Sequence, residues 1–314
     1  MLTSNKLILV ELHKTGSARL KKLLGELLGG ETSGKNVSYA DELAGMGKPV
    51  VGYVCNPLSW YLSQWRLGCG GKGEVFKRLT DEGKWIQLNA RRANRPVKEG
   101  NKPDGKPIPE GWNAEHAKNF WYASEENPEA FREWLKAMLE VPGLRKLIDH
   151  GYGVSPISRL GGLMTYQFMV MFVRGAENLP KEVKEKEELE TLFADKAITT
   201  HFIRAEAISA DLLDVFEAVG VALTDEQRAA VDGLKERADT LGIGKFYDQA
   251  SIRLVAKREG LLNKLFEYGA PTSEDKAAAR AARRAAKGDS PIDEAAVEAK
   301  KARKAEKAGK ASKE

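Results

Sequence analysis

The run His13-Lys14-Thr15-Gly16-Ser17 combines the residue types that hold an anion. Lys14 supplies a compact positive charge. Thr15 and Ser17 bring hydroxyl donors, and Gly16 lets the backbone approach a ligand closely. The flanking residues supply the frame. Residues 6–12 are a near-continuous apolar run, read as a buried parallel strand. Leucines at 20, 23, 24, 27 and 28 follow helical spacing, so 18–28 is expected to be a helix ended by Gly29-Gly30. The first N–H groups of such a helix have no internal partner and point at the loop, with the positive end of the dipole behind them. A plain strand-to-helix turn with a solvated lysine has the same composition, so the loop alone leaves both open. Lys14 precedes Gly16, the reverse of G-x-x-x-x-G-K-[ST], which argues against an ATP or GTP loop of that type.

Two further units repeat the pattern. Residues 49–54 read as a buried strand, Cys55-Asn56-Pro57 as a turn with Pro57 in the first helical turn, and 58–65 as a helix. Residues 199–204 read as a third strand, leading into a helix over 209–219. Alternating strands and helices predict an α/β fold with three layers, α/β/α, around a parallel sheet. Helices are also expected over 129–149, 159–174, 225–241 and 248–267, and a solvated charged stretch over 181–190. Residues 67–115 are rich in Gly, Pro, Asn and Lys and are expected to run irregularly over the surface. The expected domain is 1–271, with 67–125 as a long excursion that handles acceptor or forms a lid. Residues 272–314 are expected to be a disordered tail or a frayed helix without an apolar face.

The two turns resemble the donor-binding motifs of PAPS-dependent sulfotransferases, in particular the bacterial type. His13-Lys14-Thr15-Gly16-Ser17 is similar to the 5′-phosphosulfate loop P-K-[TS]-G-[TS], with His13 where proline is common. Cys55-Asn56-Pro57 through Ser63 is similar to the 3′-phosphate motif R-N-P-x-x-x-x-x-S, in the same order and about 40 residues further on. Residues 202–211 resemble the I-R-x-E-x-L-x-x-D segment of bacterial members, and 246–269 resemble their closing helix. The resemblance covers about 5–66 and 199–270 and implies a P-loop-like sulfotransferase fold. It implies PAPS as donor and PAP as product. Lys14 would contact the bridging and sulfuryl oxygens. Gly16, Ser17, Ala18 and Arg19, with His13 and Thr15 in the loop, would hold the 5′-phosphate, while Asn56 and Ser63 would serve the 3′-phosphate. Cys55 stands where the family has arginine. A thiol cannot fork onto a phosphate, and losing such a charge-assisted contact costs about 1.5–3 kcal/mol. Arg66, further along the same helix, is one candidate substitute; a weakened or altered donor site is the other reading.

Sulfuryl transfer to a hydroxyl also calls for a general base. Asp41 and Glu42, between the two motifs, and His116, at the end of the excursion, are the candidates. Trp112, Phe120, Trp121 and Tyr122 surround His116 in sequence and suit either an acceptor pocket or a core helix. The acceptor class stays open among glycans, lipids and small molecules. Composition narrows the alternatives. Two cysteines give neither a disulfide framework nor a metal pattern. The net charge of +5 sits mostly in residues 272–314, which hold twelve Lys/Arg and eight Asp/Glu, so it does not argue for a nucleic-acid surface. No run of about 18 apolar residues is present, and the first apolar run is shorter than the roughly 7–15 residues of a signal-peptide core. The expected location is cytoplasmic. Two other functions fit the same residues: a catalytically inactive PAP- or PAPS-binding or assembly protein of this fold, and a nucleotide-dependent phosphotransferase.

Overall fold

Five strands form one sheet: β1 (Leu2–Thr3), β2 (Ile8–Glu11), β3 (Glu31–Thr32), β4 (Val50–Val54) and β5 (His201–Arg204), in the order β3-β1-β2-β4-β5. They are seen in a computed structural model that describes residues 1–12, 15–32, 40–93, 107–179, 183–199, 201–234 and 242–269. The pairs β2–β4 and β4–β5 are parallel, and β1 pairs antiparallel with both β2 and β3. The fold is thus mixed α/β with a mostly parallel sheet. All five residues of β4 are buried. Because alternate side chains of a strand point to opposite faces, both faces of the sheet are covered there. Val50 and Val54, branched at Cβ, suit that position. Gly52 is required in its middle: a Cβ there would lie 2.3 Å from the Phe202 ring. Phe202 in turn packs on Phe168, Phe172, Phe193 and Phe266, forming the aromatic core on that face.

The longer helices are α1 (Ala18–Leu28), α2 (Ala40–Gly45), α3 (Pro57–Cys69), α4 (Glu74–Leu79), α5 (Glu82–Ala93), α6 (Pro128–Glu140), α7 (Leu163–Phe172), α8 (Lys186–Lys196), α9 (Ile208–Ala218), α10 (Asp225–Asp232), α11 (Gln249–Arg258) and α12 (Gly260–Leu265). The helix α3 is buried on nearly every side, through Leu58, Trp60, Tyr61, Leu62, Trp65 and Gly68. A helix apolar all round lies inside its domain. No helix among the described residues is long and apolar enough to cross a membrane.

Several boundaries differ from expectation for local reasons. Residues 67–115 are not irregular throughout. α4 and α5 each open on a glutamate, and Trp85 of α5 is buried with its indole N–H donating to the Leu79 carbonyl at 2.7 Å. Residues 94–106 lie outside the described residues. The expected helix 129–149 stops at Glu140, because Pro142 cannot continue it. The expected 159–174 helix is interrupted at Gly161-Gly162, with a short helix over Ile157–Leu160 before them and α7 from Leu163 after them. The 248–267 helix divides at Glu259 into α11 and α12. The 181–190 stretch contains the start of α8, whose buried residue is Leu189. β1 and β3, two residues each, are too short to show periodicity in sequence. The tail 272–314 lies outside the described residues, which apart from Gly269 fall in the compact unit Met1–Tyr268.

The break between α11 and α12 houses a buried polar knot. Glu259 is fully buried. Its carboxylate accepts the Thr165 N–H at 2.9 Å, the Thr165 hydroxyl at 2.6 Å and the Tyr61 hydroxyl. Next to it, Arg258 donates to the carbonyls of Ser158 and Arg159 at 2.6 and 3.0 Å, and to that of Gly161. One short segment thereby ties α11 to α3 and α7. Burial raises the Glu259 carboxyl above its ordinary 4.5, although the bonds from Thr165 and Tyr61 oppose this.

The raised value means that the native state holds this proton more tightly than the unfolded chain. Glu259 therefore favours folding most below its ordinary value, and the contribution is lost as pH rises through the raised one. Glu259→Gln, which cannot ionise, is expected to gain stability relative to wild type between about pH 4 and about pH 8 in urea melts. A difference that stays constant with pH would contradict this. Glu259→Ala, which strands Thr165 and Tyr61, is expected to cost about 3 kcal/mol near pH 4, and less near pH 8, where wild type has lost the protonation contribution.

Candidate functional site

The parallel register carries three chain segments to one edge. Glu11 pairs with Tyr53, and Val54 with Arg204. The ladder continues one step beyond each outer strand: the Leu12 N–H donates to the Tyr53 carbonyl at 3.2 Å, and the Ala205 N–H to the Val54 carbonyl at 2.9 Å. The loops after β2, β4 and β5 thus leave from the carboxyl edge of the sheet, where ligands bind in open α/β sheets.

The loop after β2 runs into α1. The Thr15 hydroxyl donates to the Leu12 carbonyl at 2.8 Å, so it closes the turn. Gly16 has φ +86°, a conformation that glycine adopts without strain. Ser17 is the N-cap residue, but its side chain makes no cap hydrogen bond, and no acidic residue lies in the first turn. Among the described residues, no side chain caps the leading N–H groups of α1, which keep the positive end of the dipole. Ala18 and Arg19 are exposed. His13 and Lys14, the central residues of the expected grip, lie outside the described residues.

The loop after β4 is organised differently. Asn56 is the N-cap of α3, its side-chain oxygen accepting from the Leu58 N–H at 2.9 Å, and Pro57 occupies the first helical position. The Asn56 N–H donates to Glu206 Oε1 at 2.9 Å. Glu206 Oε2 accepts the Tyr268 hydroxyl at 3.3 Å. Burial first, then the nearby charge of Glu206, raises the Tyr268 phenol. Cys55 is fully buried at the end of β4. After β5, Asp211 in the first turn of α9 accepts both the Arg204 backbone N–H at 2.7 Å and its guanidinium at 2.8 and 2.9 Å. That fork fixes the start of α9 to the strand.

Two expected residues are not brought to this edge. Arg66 lies ten residues beyond Asn56, about 15 Å along a helix rising 1.5 Å per residue. Its guanidinium sits over the Phe246 ring, 5.0 Å from the centroid, so it does not replace the missing arginine. His116 belongs to the turns Ala114–His116 and Ala117–Trp121, which are tied to the far half of α3 where the Trp65 indole donates to the Trp121 carbonyl at 2.6 Å. Its Nε2 meets Glu133 Oε1 at 2.5 Å, and Trp121 Nε1 donates to the same oxygen at 2.8 Å. Trp112 and Phe120 flank its ring. Trp121 and Tyr122 are buried, and the Tyr122 hydroxyl accepts from Trp134 at 2.6 Å, so these two serve the core.

Ser63 is half-buried, two helical turns beyond Asn56, with its hydroxyl donating to the Ser59 carbonyl at 2.8 Å. Asp41 and Glu42 are exposed in the first turn of α2, which is seated on the core by Ala40 and Leu43. Among the described residues, no group of His, Cys, Asp and Glu is arranged to hold a metal.

Glu206 and Tyr268 are the edge residues that the sequence left without a role. Glu206 had a visible signal, since it follows the third parallel strand by two residues. Tyr268 lies in the 246–269 segment likened to a closing helix, but its pairing with a residue 62 positions away gave no local signal. No protein-family profile, curated protein or solved structure matches this chain.

Asn56 has a structural duty that can be measured apart from ligand binding. Asn56→Ala is expected to lower unfolding free energy by about 1 kcal/mol, with Asn56→Ser recovering most of it. Equal stability of Asn56→Ala and wild type in urea melts would show that the cap bond to Leu58 contributes nothing.

Proposed function

We propose that this chain is a sulfotransferase that moves a sulfuryl group from PAPS to a hydroxyl or amine of an acceptor, releasing PAP. A single observation carries the proposal: a loop of the P-K-[TS]-G-[TS] kind leads from a parallel strand into a helix whose N-cap residue, Ser17, makes no side-chain cap bond. The finer fold, a three-layer P-loop-like sulfotransferase domain, belongs to the same proposal. So does an acceptor that is a small molecule or a glycan.

The chemistry asks mainly for positioning and charge stabilisation. The donor's 5′-phosphate would lie at the start of α1, held by N–H groups of Gly16 to Arg19 and by the helix dipole. The acceptor oxygen attacks sulfur and forms the new S–O bond. The bond from sulfur to the bridging oxygen breaks, and its electron pair leaves with the 5′-phosphate of PAP. Lys14 is positioned in sequence to offset the charge that gathers on that bridging oxygen. The acceptor's proton passes to a carboxylate, for which Asp41 and Glu42 are the candidates: both are exposed on α2, between the two donor loops in the chain.

The alternative of an inactive nucleotide-binding protein of the same fold draws on Cys55, which brings no charge to the second loop, and on the displacement of His116. The phosphotransferase alternative draws support only from the anion-ready loop, and the order of Lys14 and Gly16 opposes it.

PAP at about 1 mM is expected to raise the melting temperature, and ATP to do so less. No shift with PAP would remove both the sulfotransferase and the inactive-binder proposals. Transfer of radiolabelled sulfate from PAPS to a panel of hydroxyl and amine acceptors is expected to fall by about two orders of magnitude or more in Lys14→Ala. Binding of PAP without any transfer would favour the inactive binder.

A further inference from the structure

A second group of side chains able to hold a ligand lies away from the sheet edge, where the turns Ala114–His116 and Ala117–Trp121 meet α6. Ala117–Trp121 is a π-helical turn, in which the Tyr122 N–H donates to the Ala117 carbonyl five residues back at 3.0 Å. Such turns are rare and occur often at functional sites. This one sets two donors on one carboxylate oxygen: His116 Nε2 and Trp121 Nε1 both meet Glu133 Oε1, at 2.5 and 2.8 Å. With the Nε2 proton given to Glu133, Nδ1 of the neutral imidazole is an acceptor. Glu133 Oε2 and His116 Nδ1 have no hydrogen-bond partner among the described residues, and the two side chains keep 32% and 28% of their surface in solvent. Trp112 lies nearly parallel to the His116 ring, 15° from it, and the Phe120 ring is centred 5.3 Å away. Both rings are half-buried and packed against the core, which holds them in place.

We propose that Trp112, His116, Phe120 and Glu133 form a binding site for a neutral sugar ring, one unit of an oligosaccharide. A pyranose has an apolar C–H face and a set of hydroxyl donors around it. The face packs on the Trp112 and Phe120 rings, and neighbouring hydroxyls donate to Glu133 Oε2 and His116 Nδ1. The acceptors are oriented before the ligand arrives, because the two donors on Oε1 fix the plane of the carboxylate, so little order is lost on binding. A phosphate or sulfate brings acceptors and negative charge of its own and meets the Glu133 charge, so the cluster discriminates against it. Its preference is thus the opposite of that at the start of α1, which suits an anion. The sugar site does not rest on the sulfotransferase reading; where both hold, it retains a glycan acceptor.

An array of immobilised neutral oligosaccharides and their sulfated forms, probed with the full chain, tests it. Wild type is expected to be retained on at least one neutral oligosaccharide, and about tenfold or more better than on the sulfated form of the same sugar. Glu133→Gln keeps an oxygen for the Trp121 N–H but turns the free acceptor into a donor. Isothermal titration with the retained oligosaccharide is expected to show about tenfold weaker binding in Glu133→Gln and in Trp112→Ala. Retention on no neutral oligosaccharide overturns the inference. So does a preference for the sulfated forms, or an affinity that both variants leave unchanged. A chain that binds the sugar but gives no melting shift with PAP keeps this site and loses the sulfotransferase proposal, and one that binds PAP but no sugar does the reverse. The wild-type array needs no variant, so poor folding of Trp112→Ala does not shield the inference.

Discussion

The parallel ladder through β2, β4 and β5 is the constraint on which the rest of the molecule depends. Its hydrogen bonds set the Glu11–Tyr53 and Val54–Arg204 pairs level with one another, and the bonds from Leu12 and Ala205 carry the ladder into the loops. Segments that lie far apart in the chain are thereby delivered to one edge, each entering a helix or turn at the same height. Slipping β4 by one residue would turn every side chain of a fully buried strand to the opposite face. It would also drive a side chain into the space that Gly52 leaves for Phe202. The register is therefore fixed by the core, and the geometry of the edge follows from it.

The helix α3 connects that edge to the remainder of the protein. Its start is held by Asn56, Pro57 and Glu206; its middle is gripped by Glu259 through Tyr61; its far half carries the Trp121 and Tyr122 segment. The Glu259 knot is costly in principle, since a buried carboxylate gives up its hydration. Three donors and the neighbouring Arg258 offset that cost. The helix divides at Glu259, where the backbone leaves the helical conformation (φ −106°, ψ 30°). Cys55 and Glu206 occupy one end of α3, while His116 and Glu133 lie beside the other. The two clusters are thus parts of separate surroundings, not one catalytic group.

Much of the fold was legible in the sequence because the relevant signals are local. The leucine spacing of α1, the apolar runs of β2 and β4, and Pro57 at a helix start each report on a few neighbouring residues, and the structure has all of them. Helix ends at Pro142 and Gly161-Gly162 were present in the sequence too, but apolar periodicity on both sides concealed them. α4 and α5 were hidden by glycines and lysines whose average composition resembles a loop, although Trp85 and Leu79 anchor them by packing. The site was less legible, for a physical reason. The distance between Arg66 and the edge, the pairing of His116 with Glu133, and the hold of Glu206 on Asn56 all depend on contacts between segments remote in sequence. Spacing along a chain cannot express such contacts.

The proposed function places the donor's 5′ anion at α1, where Ser17 makes no side-chain cap bond, while Asn56 and Glu206 take the N–H groups at the start of α3. The most direct measurement of that account is a crystal structure of the protein with PAP. The account predicts the 5′-phosphate within hydrogen-bond distance, about 2.7–3.2 Å, of backbone N–H groups between Gly16 and Arg19, with Glu206 still bonded to the Asn56 N–H. PAP seated with its 5′-phosphate away from α1, for instance beside Trp112 and His116, would contradict it.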